Sequence, residues 1–168
     1  WNYDAENRRA WKGDPQVPPS MTFPPDALTQ EVMDLVASRY PSSLGSVEGF
    51  AWPVTAEGAA RAADEFFAAR LEWFGPCEGA MAVGEPTLFH SLLSASLNLG
   101  LLDPLELCWR ADAAYRAGAV PLASAEGFIR QVLGWREFVR HVYEEHREHY
   151  QTANALEADQ PLPGWYWG

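Results

Sequence analysis

The sequence predicts an all-α fold. Apolar residues recur every three or four positions in five separate stretches, which is the spacing of one face of a helix. Typical helix signals bound these stretches, namely capping residues before the first turn and Gly or Pro after the last turn. No stretch alternates apolar and polar residues as a half-buried strand would, and no internal repeat is present.

Composition predicts a folded chain with a real core. The 168 residues are 48% hydrophobic and include 8 Trp, 8 Phe and 6 Tyr, which excludes a disordered segment. The net charge of −11 would repel a nucleic-acid backbone if it were spread evenly. The basic residues instead concentrate in 8–12 and 130–147, so a local basic face is compatible with this charge.

No apolar run is long enough to cross a membrane and no basic-then-apolar leader is present, so we expect a cytoplasmic chain without a membrane partner. The chain lacks an initial Met, and its last residues, LPGWYWG, are dense in aromatic side chains. We therefore expect it to be a piece of a longer protein.

The first 25 residues are predicted to form an extended arm or interdomain linker, since they contain five prolines and little periodicity. Their aromatic side chains Trp1, Tyr3 and Trp11 should pack against other parts of the protein. Helical sequence occupies residues 26–168, where a first short helix begins near Asp26 or Thr29 and ends before residue 41.

Three further helices follow in order. One is capped by Thr55, runs through Ala-rich sequence to Phe74 and stops at Gly75-Pro76. The next begins at Thr87 and is closed by Gly100. The third is capped by Asp103, with Pro at its first helical position, and ends near residue 117.

The longest periodic stretch is residues 124–150, which predicts a central helix capped by Ser124. Projection at about 100° per residue predicts a wide apolar stripe and hence a largely buried helix. The stripe is formed by Phe128, Val132, Trp135, Val139 and Val142, with Ile129, Leu133, Phe138 and Tyr143 beside it.

Arg136 falls inside this apolar sector. A guanidinium group removed from water needs a carboxylate or phosphate to accept its hydrogen bonds. The helix therefore faces an anion, either a bound ligand or a Glu or Asp of the chain itself, and the helix alone does not separate these alternatives.

The helix predicted from Thr87 carries His90, Ser91 and Ser94 in its first two turns. Free backbone N–H groups and the helix dipole favour an anion there, and small hydroxyls add donors, so a phosphate would fit. The alternative is that both serines are small residues at a helix crossing. Together with Arg136, this feature predicts a diphosphate ligand.

No metal or nucleophilic site is predicted. The His and Glu residues between 141 and 149 match none of the common zinc or di-iron spacings, and Cys77 and Cys108 lie outside metal-binding spacings. The chain also shows no nucleophile–base pair, so no catalytic side chain is assigned. If the protein is an enzyme, a cofactor performs the chemistry.

Several segments resemble the cryptochrome/photolyase superfamily, and most closely its prokaryotic iron–sulfur branch of photolyase-related proteins typified by bacterial (6-4) photolyases. They are WNYDAENRR, FHSLLSASLNLGLLDPLEL, VPLASAEGFIRQVLGWREFVRHVY and NALEADQPLPGWYWG. The resemblance runs along most of the chain, in order. It implies a central fragment that comprises the interdomain arm, 1–25, and the N-terminal part of the helical FAD-binding domain, 26–168.

The resemblance also implies roles for individual residues. Cofactor contacts to FAD are implied for His90, Ser91, Leu92, Leu93, Ser94, Gln131 and Arg136. Trp135 and Arg140 are implied on the DNA or lesion side, and Trp167 on an electron-transfer route toward the flavin.

The function implied is light-driven DNA repair by a photolyase, in which excited reduced FAD passes an electron to a pyrimidine photoproduct. The complete protein would be a monomer that binds damaged DNA and contains FAD, with a 4Fe–4S cluster and an antenna chromophore such as a lumazine outside this segment. The fragment alone would be inactive and would pack against the remainder of its own chain. The alternatives are a cryptochrome-type blue-light photoreceptor and a structural helical segment without a ligand.

Overall fold

The structure is a computed structural model that describes residues 9–167, apart from the side chain of Trp167. The predicted packing of Trp1 and Tyr3 lies outside this part. Seven α-helices are present among the described residues: α1 (Ala27–Arg39), α2 (Ala56–Ala69), α3 (Leu71–Cys77), α4 (Ser94–Asn98), α5 (Pro104–Arg116), α6 (Leu122–Ile129) and α7 (Trp135–Tyr150). A π-helical turn, Arg130–Gly134, joins α6 to α7, and a 3₁₀ turn spans Gly164–Trp167. No strand occurs in residues 9–167, so the all-α prediction is confirmed.

The chain divides into two compact units. The first combines Trp1–Phe23 with Pro53–Phe138 and holds α2 to α6, and the second combines Pro24–Trp52 with Val139–Gly168. In the second unit, α1 has no buried residue, and the part of α7 that begins at Val139 has none either. The proposed division between an arm, 1–25, and a helical domain, 26–168, stays a prediction.

Three predicted helix starts are confirmed by their capping hydrogen bonds. Asp26 accepts from the backbone N–H of Thr29 at 2.8 Å at the start of α1. Thr55 accepts from Gly58 at 3.1 Å before α2, and Asp103 accepts from Leu105 at 2.7 Å before α5. In each case a side-chain oxygen pairs a backbone donor that the first turn of the helix leaves free.

The main core of the first unit is built around three phenylalanine rings. Phe66 of α2, Phe74 of α3 and Phe128 of α6 lie with ring centroids 5.0–5.8 Å apart and are at most 5% exposed. Edge-to-face contacts such as those of Phe74 stabilise an apolar cluster beyond the area it buries. The cluster also contains buried Ala63, Leu71, Leu93, Leu107, Cys108, Ala111, Val120, Ala125 and Val132.

The predicted end of the second helix at Gly75-Pro76 is wrong. The break lies earlier, at Arg70, and α3 then runs through Gly75 and Pro76 to Cys77. Proline lacks the N–H that would bond to the carbonyl four residues earlier, here that of Glu72. The hydroxyl of buried Ser124 donates to that carbonyl at 2.7 Å, so a side chain from α6 replaces the missing hydrogen bond.

Arg70 explains the position of the break. Its side chain is 1% exposed, and Nη2 donates to the carbonyls of Pro18 and Pro19 at 3.3 and 3.0 Å and pairs with Glu65 at 3.2 Å. The buried guanidinium thereby fastens the N-terminal arm to the junction of α2 and α3.

Trp11 of the arm also packs, as predicted. It contacts a small second cluster formed by Cys77, Ala80, Leu88 and Phe89, and its indole Nε1 donates to the carbonyl of Pro15 at 2.8 Å.

Two predictions about the central helix are wrong. Ser124 is an interior residue rather than the cap, because the helix begins at Leu122. The apolar stripe is also interrupted, since Phe128 and Val132 are buried whereas Trp135 and Val139 are 55% and 56% exposed. A π turn adds one residue to a helical turn and so shifts the following positions by about 100°. A stripe projected at constant spacing therefore does not continue beyond residue 134.

No helix within residues 9–167 combines the length and the apolar character that crossing a membrane would require.

Candidate functional site

A cavity of about 690 Å³ opens beside the main core of the first unit. Its wall is formed by the end of α3, the segment before α4 and the π turn. The lining residues are Phe74, Glu78, Gly79, His90, Ser91, Leu92, Leu93, Ser94 and Gln131. Six of the seven residues predicted to contact FAD therefore line one cavity, and only Arg136 does not. Their contact with FAD itself stays a prediction.

The local structure of one wall differs from the prediction. Residues 87–93 are not helical, and α4 begins only at Ser94, so His90 and Ser91 precede the helix instead of lying in its first turns. Leu88 and Leu92 adopt positive φ angles of 41° and 58°, which a helix excludes. This backbone conformation allows Leu88 and Leu93 to be buried, and that burial outweighs the local preference for helix.

This wall presents hydrogen-bond donors. The hydroxyls of Ser91 and Ser94 and the imidazole of His90 are not fully buried, and each of these groups can donate. Ser91 Oγ accepts from the backbone N–H of Leu93 at 3.4 Å, which leaves its own proton available for an acceptor. The His90 ring meets the buried Phe74 ring edge-on at 6.4 Å, which holds the imidazole at the rim of the core.

The lining also contains a carboxyl group, that of Glu78, which the sequence patterns did not indicate. Glu78 follows the last residue of α3, and its side chain is 9% exposed. Gln131 Nε2 donates to Glu78 Oε1, and Arg130 Nη2 lies 3.9 Å from Glu78 Oε2. Neither Oε2 nor that Arg130 nitrogen has a hydrogen-bond partner among the residues that the structure describes. The one signal in the sequence was a charged residue directly after the buried FGPC segment.

Arg136 does not pair with a Glu or Asp of the described residues. Its Nη1 donates to the carbonyl of Val132 and its Nη2 to Oδ1 of Asn98, both at 3.1 Å. Both acceptors are neutral oxygens, and the second belongs to the last residue of α4. Because the π turn precedes Arg136, its side chain connects α7 to α4 instead of lining the cavity.

Trp135 is not among the residues that line this cavity. Trp135 is 55% exposed and packs edge-to-face against Phe138 with ring centroids 5.7 Å apart. Arg140 belongs to the second unit, where its Nε contacts Glu144 at 3.0 Å. The backbone of Trp167 closes the final 3₁₀ turn, and its side chain is outside the described part of the structure.

Neither cysteine is arranged for reactivity or for binding metal. Burial raises the pKa of the Cys77 thiol, and burial also raises the pKa of Cys108 in spite of an opposing effect of nearby Arg136. Within residues 9–167 no group of three or more His, Cys, Asp and Glu side chains could hold a metal ion.

The lining of the cavity presents hydrogen-bond donors and one carboxyl group. The hydroxyls of Ser91 and Ser94 can donate hydrogen bonds to phosphate oxygens, and the Glu78 carboxyl group adds an acidic side chain to the lining. A volume near 690 Å³ is within the usual range for cofactor pockets. The donor set and the volume are therefore compatible with a dinucleotide such as FAD.

Sequence comparison shows that this chain is similar to one protein family and to two known proteins. Residues 1–52 match the family described as deoxyribodipyrimidine photo-lyase-related protein. A (6-4) photolyase from Agrobacterium fabrum is 43% identical over 167 residues, which are 99% of this chain and 33% of that protein. An uncharacterised protein of Acanthamoeba polyphaga mimivirus is 37% identical over 67 residues, which are 39% of this chain and 51% of that protein. The chain thus spans about a third of the length of the Agrobacterium relative.

Proposed function

We propose that the chain belongs to the family of deoxyribodipyrimidine photo-lyase-related proteins and forms part of the FAD-binding domain of a light-driven DNA photolyase. The match of residues 1–52 to that family and the 43% identity to a (6-4) photolyase support this proposal. The observation that carries this proposal is the meeting of six predicted FAD contacts in one cavity. The residues that line the cavity come from three separate segments, namely the end of α3, residues 90–94 and the π turn. The cavity therefore depends on the fold and not on one local motif.

In this proposal the diphosphate of FAD binds along Ser91 and Ser94, where the hydroxyls of both residues donate hydrogen bonds. Phe74 and Leu93 exclude water behind these donors, which strengthens each hydrogen bond to a charged oxygen. Arg136 contributes indirectly, because its hydrogen bond to Asn98 holds α4 in position.

The chemistry would be that of the bound flavin, which in its reduced state absorbs light and supplies an electron to a DNA photoproduct. The name of the 43% identical relative favours repair over a photoreceptor role. We propose damaged DNA as the partner of the whole protein, Trp135 and Arg140 as residues of its DNA side, and Trp167 as an electron relay. A 4Fe–4S cluster and an antenna chromophore would belong to parts beyond these residues.

The test is FAD binding to the intact apo-protein. The double variant Ser91→Ala with Ser94→Ala removes two hydroxyl donors, each contributing about 1 kcal/mol, so we expect FAD affinity to fall about 30-fold. Ser43→Ala, which changes an exposed serine of the second unit, should leave the dissociation constant unchanged. Parent-like FAD affinity in the double variant would place the diphosphate elsewhere.

A further inference from the structure

The second apolar cluster of the first unit is built from sequence neighbours of the cavity lining. Its buried members, which are at most 7% exposed, are Cys77, Ala80, Leu88 and Phe89. Lining residues 78–79 lie between the first two members, and lining residues 90–91 follow the last two. The packing of this cluster therefore determines where two parts of the cavity lining can lie.

The N-terminal arm completes the second cluster. The side chains of Trp11 and Val17 pack against its buried members, and the indole of Trp11 donates to the carbonyl of Pro15 at 2.8 Å. Farther along the arm, Ser20 Oγ donates to Thr87 Oγ1 at 3.4 Å. No described residue of the arm is among those that line the cavity. Any effect of the arm on a ligand in the cavity must therefore pass through the residues that the arm contacts.

The segment that joins the second cluster to the lining has an unfavourable backbone conformation. The φ angles of Leu88 and Leu92 are 41° and 58°, a region that residues with a side chain rarely adopt because Cβ crowds the backbone. Such a conformation persists only where the surrounding structure holds it. Leu88 is 2% exposed within the second cluster, so the contacts of this cluster, including those of Trp11, provide the necessary support.

From this arrangement we infer that Trp11 is a positioning residue for the cofactor cavity. By packing on the second cluster, it holds residues 88–91 in the conformation in which Ser91 lines the cavity. The inference rests on the proposed FAD site and deepens it, because it makes the position of the arm a control on cofactor binding. Docking of the arm and binding of FAD then strengthen each other by the same factor, as coupled equilibria require.

The experiment measures FAD binding by the intact apo-protein and by its Trp11→Ala variant, through titration of flavin fluorescence. We expect the dissociation constant to rise about tenfold, within the usual range for coupling between separate sites. Trp109→Ala is the matched control, because Trp109 is a 65% exposed tryptophan of the same unit and does not line the cavity. The control should bind FAD like the parent. Parent-like affinity in Trp11→Ala would overturn the inference.

A double-variant cycle separates positioning from general support of the fold. Ser91→Ala alone should raise the FAD dissociation constant about fivefold, because one hydroxyl donor is lost. If Trp11 acts by positioning Ser91, adding Ser91→Ala to Trp11→Ala should raise the constant by less than about twofold. A further loss as large as that of Ser91→Ala alone would show that Trp11 does not act through this segment, and the inference would be overturned.

Two more variants of the arm complete the test. Trp11→Phe keeps an aromatic ring against the second cluster, so FAD affinity should return close to the parent value. Val17→Ala trims another contact with the same cluster and should weaken FAD binding to a smaller extent, which provides the test if Trp11→Ala does not fold. If the parent protein binds no FAD, the proposed function fails. If the parent binds FAD and the Ala variants of the arm bind it equally well, only the role of the arm fails.

Discussion

At the residue scale, Ser124 shows how one hydroxyl allows a sequence that would otherwise end a helix. Its Oγ donates to the Glu72 carbonyl at 2.7 Å and accepts from the Gly75 N–H at 3.0 Å. The residue is fully buried. Both backbone groups belong to the turn that contains Pro76, so Ser124 supplies the hydrogen bond that proline cannot.

This role predicts a measurable coupling between Ser124 and Pro76. Ser124→Ala should lower the free energy of unfolding by about 2 kcal/mol, because it leaves a buried carbonyl unpaired. In a Pro76→Ala background the loss should shrink by about 1 kcal/mol, because the restored N–H of residue 76 can donate to Glu72. Denaturant unfolding of the parent, both single variants and the double variant measures this coupling. Additive effects would contradict the substitution of one donor for the other.

At the element scale, the contact of α3 with α6 positions two walls of the cavity. Gly75 lies directly against the backbone of Ala123 and Ser124, and an added Cβ would approach those atoms closer than 3.0 Å. The end of α3 carries Glu78, and the π turn after α6 carries Gln131. The close approach of the two helices therefore brings these side chains within hydrogen-bonding distance.

We predict opposite results for two glycine substitutions. Gly75→Ala should destabilise the protein by about 3 kcal/mol, because backbone atoms of α6 would have to move away from the new methyl group. Gly134→Ala meets only the flexible Arg130 Cγ at 3.5 Å and should be neutral or stabilising by up to about 1 kcal/mol. Thermal unfolding of both variants provides the measurement, and equal effects would argue against the tight α3–α6 contact.

At the scale of the whole molecule, the reactivity of the two cysteines indicates whether the two apolar clusters of the first unit unfold together or separately. Cys108 lies in the main core and Cys77 in the smaller cluster next to the arm, and they are 5% and 6% exposed. Both belong to the same compact unit. Because burial raises the pKa of each thiol, neither should react while the unit is folded.

In the Cys77→Ala and Cys108→Ala variants, the one of these two cysteines that remains should therefore react with a thiol reagent at the same slow rate at pH 8, as followed by mass spectrometry of the peptide that contains it. That rate should rise together in both as denaturant is added, since one opening event exposes both clusters. Faster modification of Cys77 than of Cys108 would show instead that the smaller cluster opens separately.

The raised thiol pKa values also predict a loss of stability at alkaline pH. An unfolded thiol releases its proton near the ordinary pKa of 9.0, while the folded thiols hold theirs to higher pH. Between these values the unfolded state binds fewer protons, so the free energy of unfolding falls as pH rises. Unfolding curves at pH 8 and pH 10 should differ less in the Cys77→Ala, Cys108→Ala double variant than in the parent.

Local signals in the sequence were sufficient for the class of fold and for several element boundaries. Asp26, Thr55 and Asp103 each act as caps because the groups involved lie within three residues of one another, so no tertiary information was needed. The family resemblance likewise named six residues that line one cavity, although periodicity alone placed His90 and Ser91 on a helix that does not include them.

The remaining features depended on groups far apart in the sequence. The path of α3 through Pro76 needs Ser124, 52 residues from the carbonyl that it pairs, and the unpaired oxygen of Glu78 is defined by Gln131 and Arg130, more than 50 positions away. The π turn that precedes Arg136 cannot be seen when the sequence is projected onto a helix of constant residues per turn. Thus the sequence alone determined the all-α class and the local caps, because those depend on neighbouring residues and composition. Only the tertiary structure decided where α3 ends, which way the central helix turns and which carboxyl group lines the cavity, because burial and hydrogen bonding between distant segments outweigh local preference.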